Sequence, residues 1–131
     1  MKYISTRGKG ETYDDVTVLL QGLAPDGGLF VPETIPELDR SVFEGLVGRP
    51  YAERAAHILK YFLPSFTLQE LMNICRKVYT PPTFVPEPAP LVRLNPFDPS
   101  LQMLELWHGP TAAFKDLALQ LLPELQTLAL Q

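Results

Sequence analysis

The residue with the clearest chemical potential is Lys115, which lies in the apolar stretch ELWHGPTAAFKDLALQ just after a Gly-Pro turn. If Gly109 or Thr111 is the N-cap, Lys115 falls in the first or second turn of a helix. The positive end of the helix dipole and the apolar neighbours would both favour the neutral amine. A neutral amine is a nucleophile, and its common use in enzymes is a Schiff base with an aldehyde such as that of pyridoxal phosphate.

Each residue of this stretch also has a plainer interpretation. A lysine near a helix start is more often a surface residue whose stem covers apolar surface. His108 reads equally well as a turn residue at a strand end, Thr111 as a helix cap, and Trp107 as part of the core. Asp116 would oppose the neutral amine only if it pointed the same way, and adjacent helix positions diverge by about 100°. Spacing alone leaves both interpretations open.

Composition excludes several classes of protein. The chain has 131 residues, 46% of them hydrophobic and 20% charged, with a net charge of −4, which indicates one globular unit and no nucleic-acid partner. The lone Cys75 rules out an internal disulfide, and His57 and His108 lack metal-ligand spacing, so we expect no metal site. The start MKYISTRG lacks a signal-peptide block and no apolar run reaches membrane-spanning length, which predicts a cytoplasmic protein without membrane contact.

The first part of the chain alternates between strand and helix patterns. A short strand is expected in KYIS, and TYDDVTVLLQGL predicts a helix that begins with a capping box of Thr12 and Asp15 and ends at Gly22. The run Asp26-Gly27-Gly28 is a strong turn signal. A second short strand, over residues 29–31, should follow that turn and end at Pro32.

Two amphipathic helices are expected next. Pro50 can open the first, because its missing N–H costs little there, and Pro64 ends it. Thr67 and Glu70 form a capping box for the second, whose apolar face includes Cys75 as a small buried hydrophobe. We expect the two helices to pack as a hairpin.

The pattern changes after residue 80. Seven prolines between Pro81 and Pro99 exclude regular structure over most of that segment and indicate a stiff connector. An apolar strand is then expected over Leu101–Trp107, followed by a turn and a long leucine-rich helix kinked at Pro123. A strand of this kind needs parallel neighbours on both sides, so we expect the chain to be the front end of a longer protein. The resulting division is residues 1–80, a connector over 81–100, and an incomplete unit over 101–131.

Three motifs in this chain are similar to those of one enzyme family. HGPTAAFKD at 108–116 resembles the lysine-bearing motif of threonine synthases, and YISTRG at 3–8 and GLAPDGGLFVPE at 22–33 resemble the two signatures of their N-terminal domain. The resemblance implies an α+β fold. It consists of a small mixed N-terminal domain followed by the first strand, turn and helix of a tryptophan-synthase-β-like (fold type II) domain that binds pyridoxal phosphate.

The resemblance also implies a chemistry. Threonine synthases are pyridoxal-phosphate-dependent lyases of amino-acid biosynthesis that convert O-phosphohomoserine and water to threonine and phosphate. By resemblance, Lys115 is the catalytic residue and the Schiff-base lysine. The residues expected to shape or flank the turn that presents it are His108, Gly109, Pro110, Thr111, Phe114 and Asp116.

The N-terminal motifs have a structural and a functional interpretation. Glycines 27 and 28 could supply positive φ in a turn, and Arg7 could pair with a carboxylate or stack on a ring. Alternatively, Arg7 or Lys9 could attract a doubly charged phosphate substrate at the entrance of an active site. The structural interpretation is the better supported, because a site requires convergent geometry.

A phosphate-binding loop is missing from this chain, and more than one interpretation of its function remains open. The chain has no glycine-rich loop to hold a phosphate after Lys115, so we expect the isolated 131 residues to be inactive. The same motifs fit a threonine-synthase-like phospho-lyase acting on a related O-phospho amino acid. A non-catalytic folding or interaction module is the third interpretation. In that case its surface would pair with the missing half of a longer protein or with a second copy. The leucine-rich C-terminal helix would be an exposed apolar patch, through which copies could self-associate.

Overall fold

The computed structural model describes residues 1–8 and 10–131 and has a mixed α+β fold, as predicted. In this part of the chain, six helices accompany two antiparallel sheets of two strands each. In chain order, the elements are β1 (Tyr3–Ser5), α1 (Asp15–Gln21), β2 (Phe30–Pro32), α2 (Arg40–Leu46), α3 (Tyr51–Phe62), α4 (Leu68–Val78), β3 (Leu91–Asn95), β4 (Asp98–Leu104), α5 (Asp116–Leu119) and α6 (Leu122–Ala129).

The first sheet and α1 confirm the predicted elements with two corrections, the first being that β2 lies one residue later than predicted and includes Pro32. Strands β1 and β2 pair antiparallel, and Gly22 ends α1 with a φ of 72°. The predicted capping box is wrong, because the N-cap is Asp14, whose side chain accepts a hydrogen bond from the Thr17 backbone N–H. The neighbouring Asp15 is buried and accepts two hydrogen bonds from Ser65, which ties α1 to the turn between α3 and α4.

Helices α3 and α4 pack as the predicted hairpin and, with the residues that follow each of them, supply most of the core. Pro50 is the N-cap of α3, and α4 begins with the predicted capping box between Thr67 and Glu70. Cys75 is completely buried, and burial raises the pKa of its thiol to about 11, so it acts as a hydrophobe. The shared core consists of Ala52, Ala56, Leu63, Phe66, Leu71, Cys75, Val78, Tyr79, Phe84, Leu121 and Leu125.

No helix in the described residues combines the length and hydropathy needed to cross a membrane.

The proline-rich segment is more ordered than predicted. Phe84 is only 1% exposed and joins the core, so the segment is anchored rather than laid over a surface. Strand β3 forms inside the predicted connector and pairs antiparallel with β4. The predicted strand at residues 101–107 therefore begins and ends three residues earlier, and its pairing differs from the prediction. All seven residues of β4 are exposed, and its partner strand is the adjacent arm of a hairpin.

The predicted long C-terminal helix is two helices, α5 and α6. Pro123 cannot donate to the Leu119 carbonyl, and its ring conflicts with that carbonyl in a continuous helix. The Tyr79 hydroxyl also donates to the Leu117 carbonyl at 2.7 Å, which satisfies a group that the break leaves open. The Tyr79 side chain is buried, and this burial raises the pKa of its hydroxyl strongly.

The expectation of an exposed C-terminal helix is only partly met: Leu119, Leu122 and Leu130 are exposed, but the opposite side of the helices is not. Leu121 and Leu125 are buried in the core, and the Gln126 side chain donates to the Leu19 carbonyl of α1 at 2.9 Å. Lys77 of α4 forms an ion pair with Glu124 of α6 at 2.7 Å. Further exposed apolar side chains lie on the β3–β4 hairpin and near Lys115. They include Leu91, Leu94, Phe97, Leu101, Met103, Leu104, Trp107 and Phe114.

Candidate functional site

Lys115 lies at the end of a loop rather than inside a helix. It is the residue immediately before α5, and its side chain is exposed, so the predicted apolar surroundings of the amine are not formed. Phe114 beside it is also exposed, at 64%. Within the described part of the chain, no hydrogen bond or ion pair holds the Lys115 ammonium. The amine is therefore accessible to a ligand that reaches this face.

Asp116 is the most deeply buried polar group of the loop. Its carboxylate is 1% exposed and accepts hydrogen bonds from the Thr111 backbone N–H at 2.8 Å and from the Thr111 hydroxyl at 2.9 Å. Burial raises the pKa of the Asp116 carboxyl. The hydrogen bonds from Thr111 outweigh that effect and hold the pKa below its ordinary value of 3.8. The sequence therefore places a buried charge directly after Lys115.

The stability of the chain should depend on this carboxyl in acid. Because the folded pKa lies below the unfolded one, its contribution is complete above about pH 4 and is lost as the pH falls through the folded pKa. Asp116→Asn should therefore flatten the pH dependence of the unfolding free energy below about pH 4, measured by urea titrations. The exposed Glu37→Gln is the control. Parallel pH profiles for Asp116→Asn and the unaltered chain would contradict the assignment.

Gly109 is required for close packing rather than for a special φ. A Cβ at this position would lie 2.5 Å from the Asp116 Cβ and 2.8 Å from a ring carbon of Phe84. The backbone of the HGPT turn thus passes directly over the Asp116 carboxylate and the buried Phe84 ring. Pro110 is exposed at the outside of the same turn, where a restricted φ is tolerated.

His108 connects this turn to the proline-rich segment. Its Nδ1 lies 2.9 Å from the Val85 carbonyl oxygen and its Nε2 lies 2.6 Å from a carboxylate oxygen of Glu105. Both ring nitrogens thus lie within hydrogen-bond distance of an oxygen atom, which fixes the orientation of the ring. Trp107 stacks on the His108 ring, with centroids 5.8 Å apart, and is half exposed, which corrects its prediction as a core residue.

The two N-terminal motifs form an interlocked pair of turns. The Ser5 hydroxyl donates to Asp26 at 2.7 Å, and Arg7 donates to the Asp26 backbone carbonyl at 3.0 Å. Gly27 has the predicted positive φ, of 77°, but Gly28 does not. A Cβ on Gly28 would lie 2.0 Å from the Ser5 hydroxyl oxygen, so close approach explains this glycine. The contacts support the structural interpretation of both motifs.

The structure assembles one group of the predicted residues and leaves another apart. Gly109, Thr111 and Asp116 form one packed and hydrogen-bonded loop next to Lys115, and His108 joins its start to Val85 and Glu105. In the described residues, Arg7 makes its hydrogen bond with the other motif instead, beside a cleft of about 180 Å³ lined by Ser5, Glu11, Tyr13, Pro25 and Asp26. The predicted role of Lys9 lies outside the described residues. No group of three metal-ligating side chains occurs within residues 1–8 and 10–131.

Two residues of the site were not predicted from the sequence. Phe84 supports the turn from below, and Glu105 binds His108. Phe84 is the aromatic residue flanked by prolines in TPPTFVP, which could have suggested an anchor. Glu105 precedes His108 by three residues, a spacing that in an extended segment gives no indication of contact.

Comparisons with known proteins identify related sequences and structures. The family model described as "Threonine synthase N terminus" matches residues 2–79. The chain is 42% identical to a threonine synthase of Pseudomonas aeruginosa and 36% identical to a threonine synthase-like 2 protein of Xenopus laevis. Each match covers 95% of this chain and 26% of the relative.

A solved structure also matches. The crystal structure of a PLP-bound threonine synthase from Brucella melitensis superposes with a TM-score of 0.86 at 37% identity, over 99% of this chain and 27% of that one. The chain thus spans about a quarter of the length of the relatives it matches. With more than half of its residues matched by the family model, the chain belongs to the threonine synthase family.

Proposed function

We propose that this chain supplies the cofactor-binding lysine, Lys115, of a pyridoxal-phosphate-dependent threonine synthase that converts O-phosphohomoserine and water to threonine and phosphate. The observation that carries the proposal is the loop itself. Lys115 has an exposed amine, and the residues on either side are fixed by a buried carboxylate and a close-packed glycine. Reactive groups need this combination of access and preorganised backbone.

The residues present fit the cofactor at one of its ends. The Lys115 amine makes no hydrogen bond or ion pair within the described residues, so it is available to react with the aldehyde of pyridoxal phosphate. Groups for the phosphate and the pyridine nitrogen would have to come from other parts of a complete enzyme, because this sequence has no glycine-rich loop after Lys115. We further propose that residues 101–131 join a larger fold type II domain, since the exposed apolar hairpin β3–β4 has a face that such a domain could cover.

Each side chain of the loop has a separate task in this proposal. When bound, the cofactor supplies an electron sink for carbanions of the substrate. Lys115 would attach the cofactor through Nζ, release it to the substrate amine, and then accept and return protons at the same atom. His108, Gly109 and Thr111 hold the turn. Pro110 and Phe114 lie at its surface and receive no chemical role.

Covalent trapping tests the role of Lys115. In the complete protein, pyridoxal phosphate followed by borohydride reduction should label the peptide that contains Lys115, as read by mass spectrometry, and Lys115→Ala should remove this label and the formation of threonine. Lys77→Ala is the matched control, because Lys77 is an exposed lysine paired with Glu124. Equal labelling in Lys115→Ala and the unaltered protein would refute the proposal.

The isolated 131-residue chain provides a second measurement. Without further anchors, its affinity for pyridoxal phosphate should be weak, and it should form no threonine. Tight stoichiometric binding in an absorbance titration would show that the chain contains a complete cofactor site.

A second candidate reaction is supported by the threonine synthase-like 2 relative. A phospho-lyase would use the same lysine but release phosphate and ammonia from a related O-phospho amino acid. Incubating the complete protein with O-phosphohomoserine and analysing products separates the two, since only the synthase forms threonine. A non-catalytic folding or interaction module is the third candidate. Gel filtration and thermal melting of the isolated chain test it: a monomer with a cooperative melt favours an autonomous unit, whereas an oligomer or aggregate favours a fragment of a larger fold. A cytoplasmic location stays a prediction.

A further inference from the structure

The loop that carries Lys115 contains a backbone conformation that its sequence does not favour. Ala112 has a φ of 54°, and within the described residues it is the one non-glycine position with a positive φ. Side chains other than glycine avoid this left-handed region because the Cβ approaches the following carbonyl oxygen. Such a residue persists only where the surrounding structure fixes it, and such residues cluster at functional sites.

The contacts that fix Ala112 come from both sides of it. The backbone N–H and hydroxyl of Thr111 bind the two oxygens of the Asp116 carboxylate, at 2.8 and 2.9 Å. The Ala112 N–H donates to the Gly109 carbonyl at 3.1 Å, and the Asp116 N–H donates to the Ala113 carbonyl at 3.0 Å. Asp116 is 1% exposed. The buried carboxylate of Asp116, the residue after Lys115, therefore binds Thr111, the residue before the strained Ala112.

We propose that Asp116 is a positioning residue: by binding Thr111 across Ala112, its carboxylate holds the left-handed turn closed and fixes the backbone from which Lys115 presents its amine. This inference rests on the proposed function for the meaning of Lys115. It adds that the strained backbone of Ala112 and the burial of Asp116 both serve to position the Lys115 amine. If the loop could leave this turn, the Lys115 amine would occupy several positions. Small displacements of a reacting group lower the reaction rate strongly.

Two substitutions at Thr111 test the Asp116 lock, by which we mean the two hydrogen bonds from Thr111 to the Asp116 carboxylate. They leave the core undisturbed, because Thr111 is exposed. Thr111→Val keeps the size of the side chain and removes its hydroxyl donor, and Thr111→Ser keeps the donor. In the isolated chain, the amide of residue 111 should exchange with solvent about tenfold faster in the valine variant, as expected for loss of a hydrogen bond to a charged group. The serine variant should exchange at the unaltered rate.

Labelling in the complete protein gives the functional measurement. With pyridoxal phosphate and borohydride, the yield at Lys115 relative to the exposed Lys2 should fall about tenfold in Thr111→Val, by the same loss of one charge-assisted hydrogen bond. Thr111→Ser should restore the ratio. Equal exchange rates and equal labelling ratios for valine, serine and threonine would overturn the proposal.

Ala112→Gly separates positioning from general stability. Glycine adopts a positive φ freely, so the strain is relieved and the melting temperature should not fall, while the loop gains alternative conformations. Positioning predicts a lower share of label at Lys115 in a protein of unchanged stability, and an unchanged share would overturn it. If Lys115 is not labelled even in the unaltered protein, the proposed function fails. The exchange rate at residue 111 then still decides whether the Asp116 lock exists.

Discussion

Phe84→Ala should lower the unfolding free energy of the chain by about 4 kcal/mol, within the range measured for buried Phe→Ala substitutions. The Phe84 ring is 1% exposed, packs near Tyr79 with centroids 5.8 Å apart, and lies under the Gly109 backbone. Removing it leaves a cavity between the α3–α4 hairpin and the turn that presents Lys115. Urea denaturation followed by circular dichroism measures the change.

Phe97→Ala is the control for this substitution. Phe97 also belongs to the proline-rich region, but its side chain is 94% exposed at the tip of the β3–β4 hairpin. Its removal should change the unfolding free energy by less than about 0.5 kcal/mol. A loss for Phe84→Ala no larger than that for Phe97→Ala would mean that the proline-rich segment is not anchored in the core.

Gly109→Ala should have the second largest effect, a loss of about 3 kcal/mol from overpacking. The new methyl group would lie 2.5 Å from the Asp116 Cβ and 2.8 Å from Phe84, and both neighbours are buried. The backbone must therefore shift, and the shift passes directly to the loop of Lys115. We expect lower stability in urea denaturation together with faster amide exchange at residue 111.

Gly45→Ala is the matched control. A Cβ on Gly45 meets nothing within 4 Å, and the residue is exposed in helix α2. Alanine is favoured over glycine in helices, so this variant should gain up to about 1 kcal/mol. If Gly109→Ala is as stable as the unaltered chain, the close packing of the HGPT turn against Asp116 is wrong.

Elements defined by local signals were predictable from the sequence. The capping box of Thr67 and Glu70 and the end of α1 at Gly22 depend on residues within a few positions of one another. Helix α2 was missed because its seven residues are too few to show a helical repeat of apolar side chains. Its one clear signal is Asp39, whose side chain caps the Ser41 backbone N–H. The position of the N-cap of α1 was wrong by two residues, because Thr12 and Asp14 are both good capping residues.

Elements decided by distant contacts were not predictable. The hydrophobic run after the prolines indicates a strand, but its partner and its exposure depend on what packs against it, and the structure pairs it with β3. The break between α5 and α6 combines Pro123 with a hydroxyl from Tyr79, 38 residues away. The motif predicted Lys115 and its neighbours. It could not indicate Phe84 or the left-handed Ala112, which follow from packing.

The hydrogen bond from Gln126 to Leu19 spans 107 positions of the chain. The region that defines the family ends at residue 79, yet Leu121 and Leu125 complete the core that this region begins. We therefore expect residues 1–79 to expose, during synthesis, the apolar side chains that form the core with Leu121 and Leu125, until α6 has left the ribosome. The intervening segment, which includes the loop of Lys115, is then held at both ends by the same core.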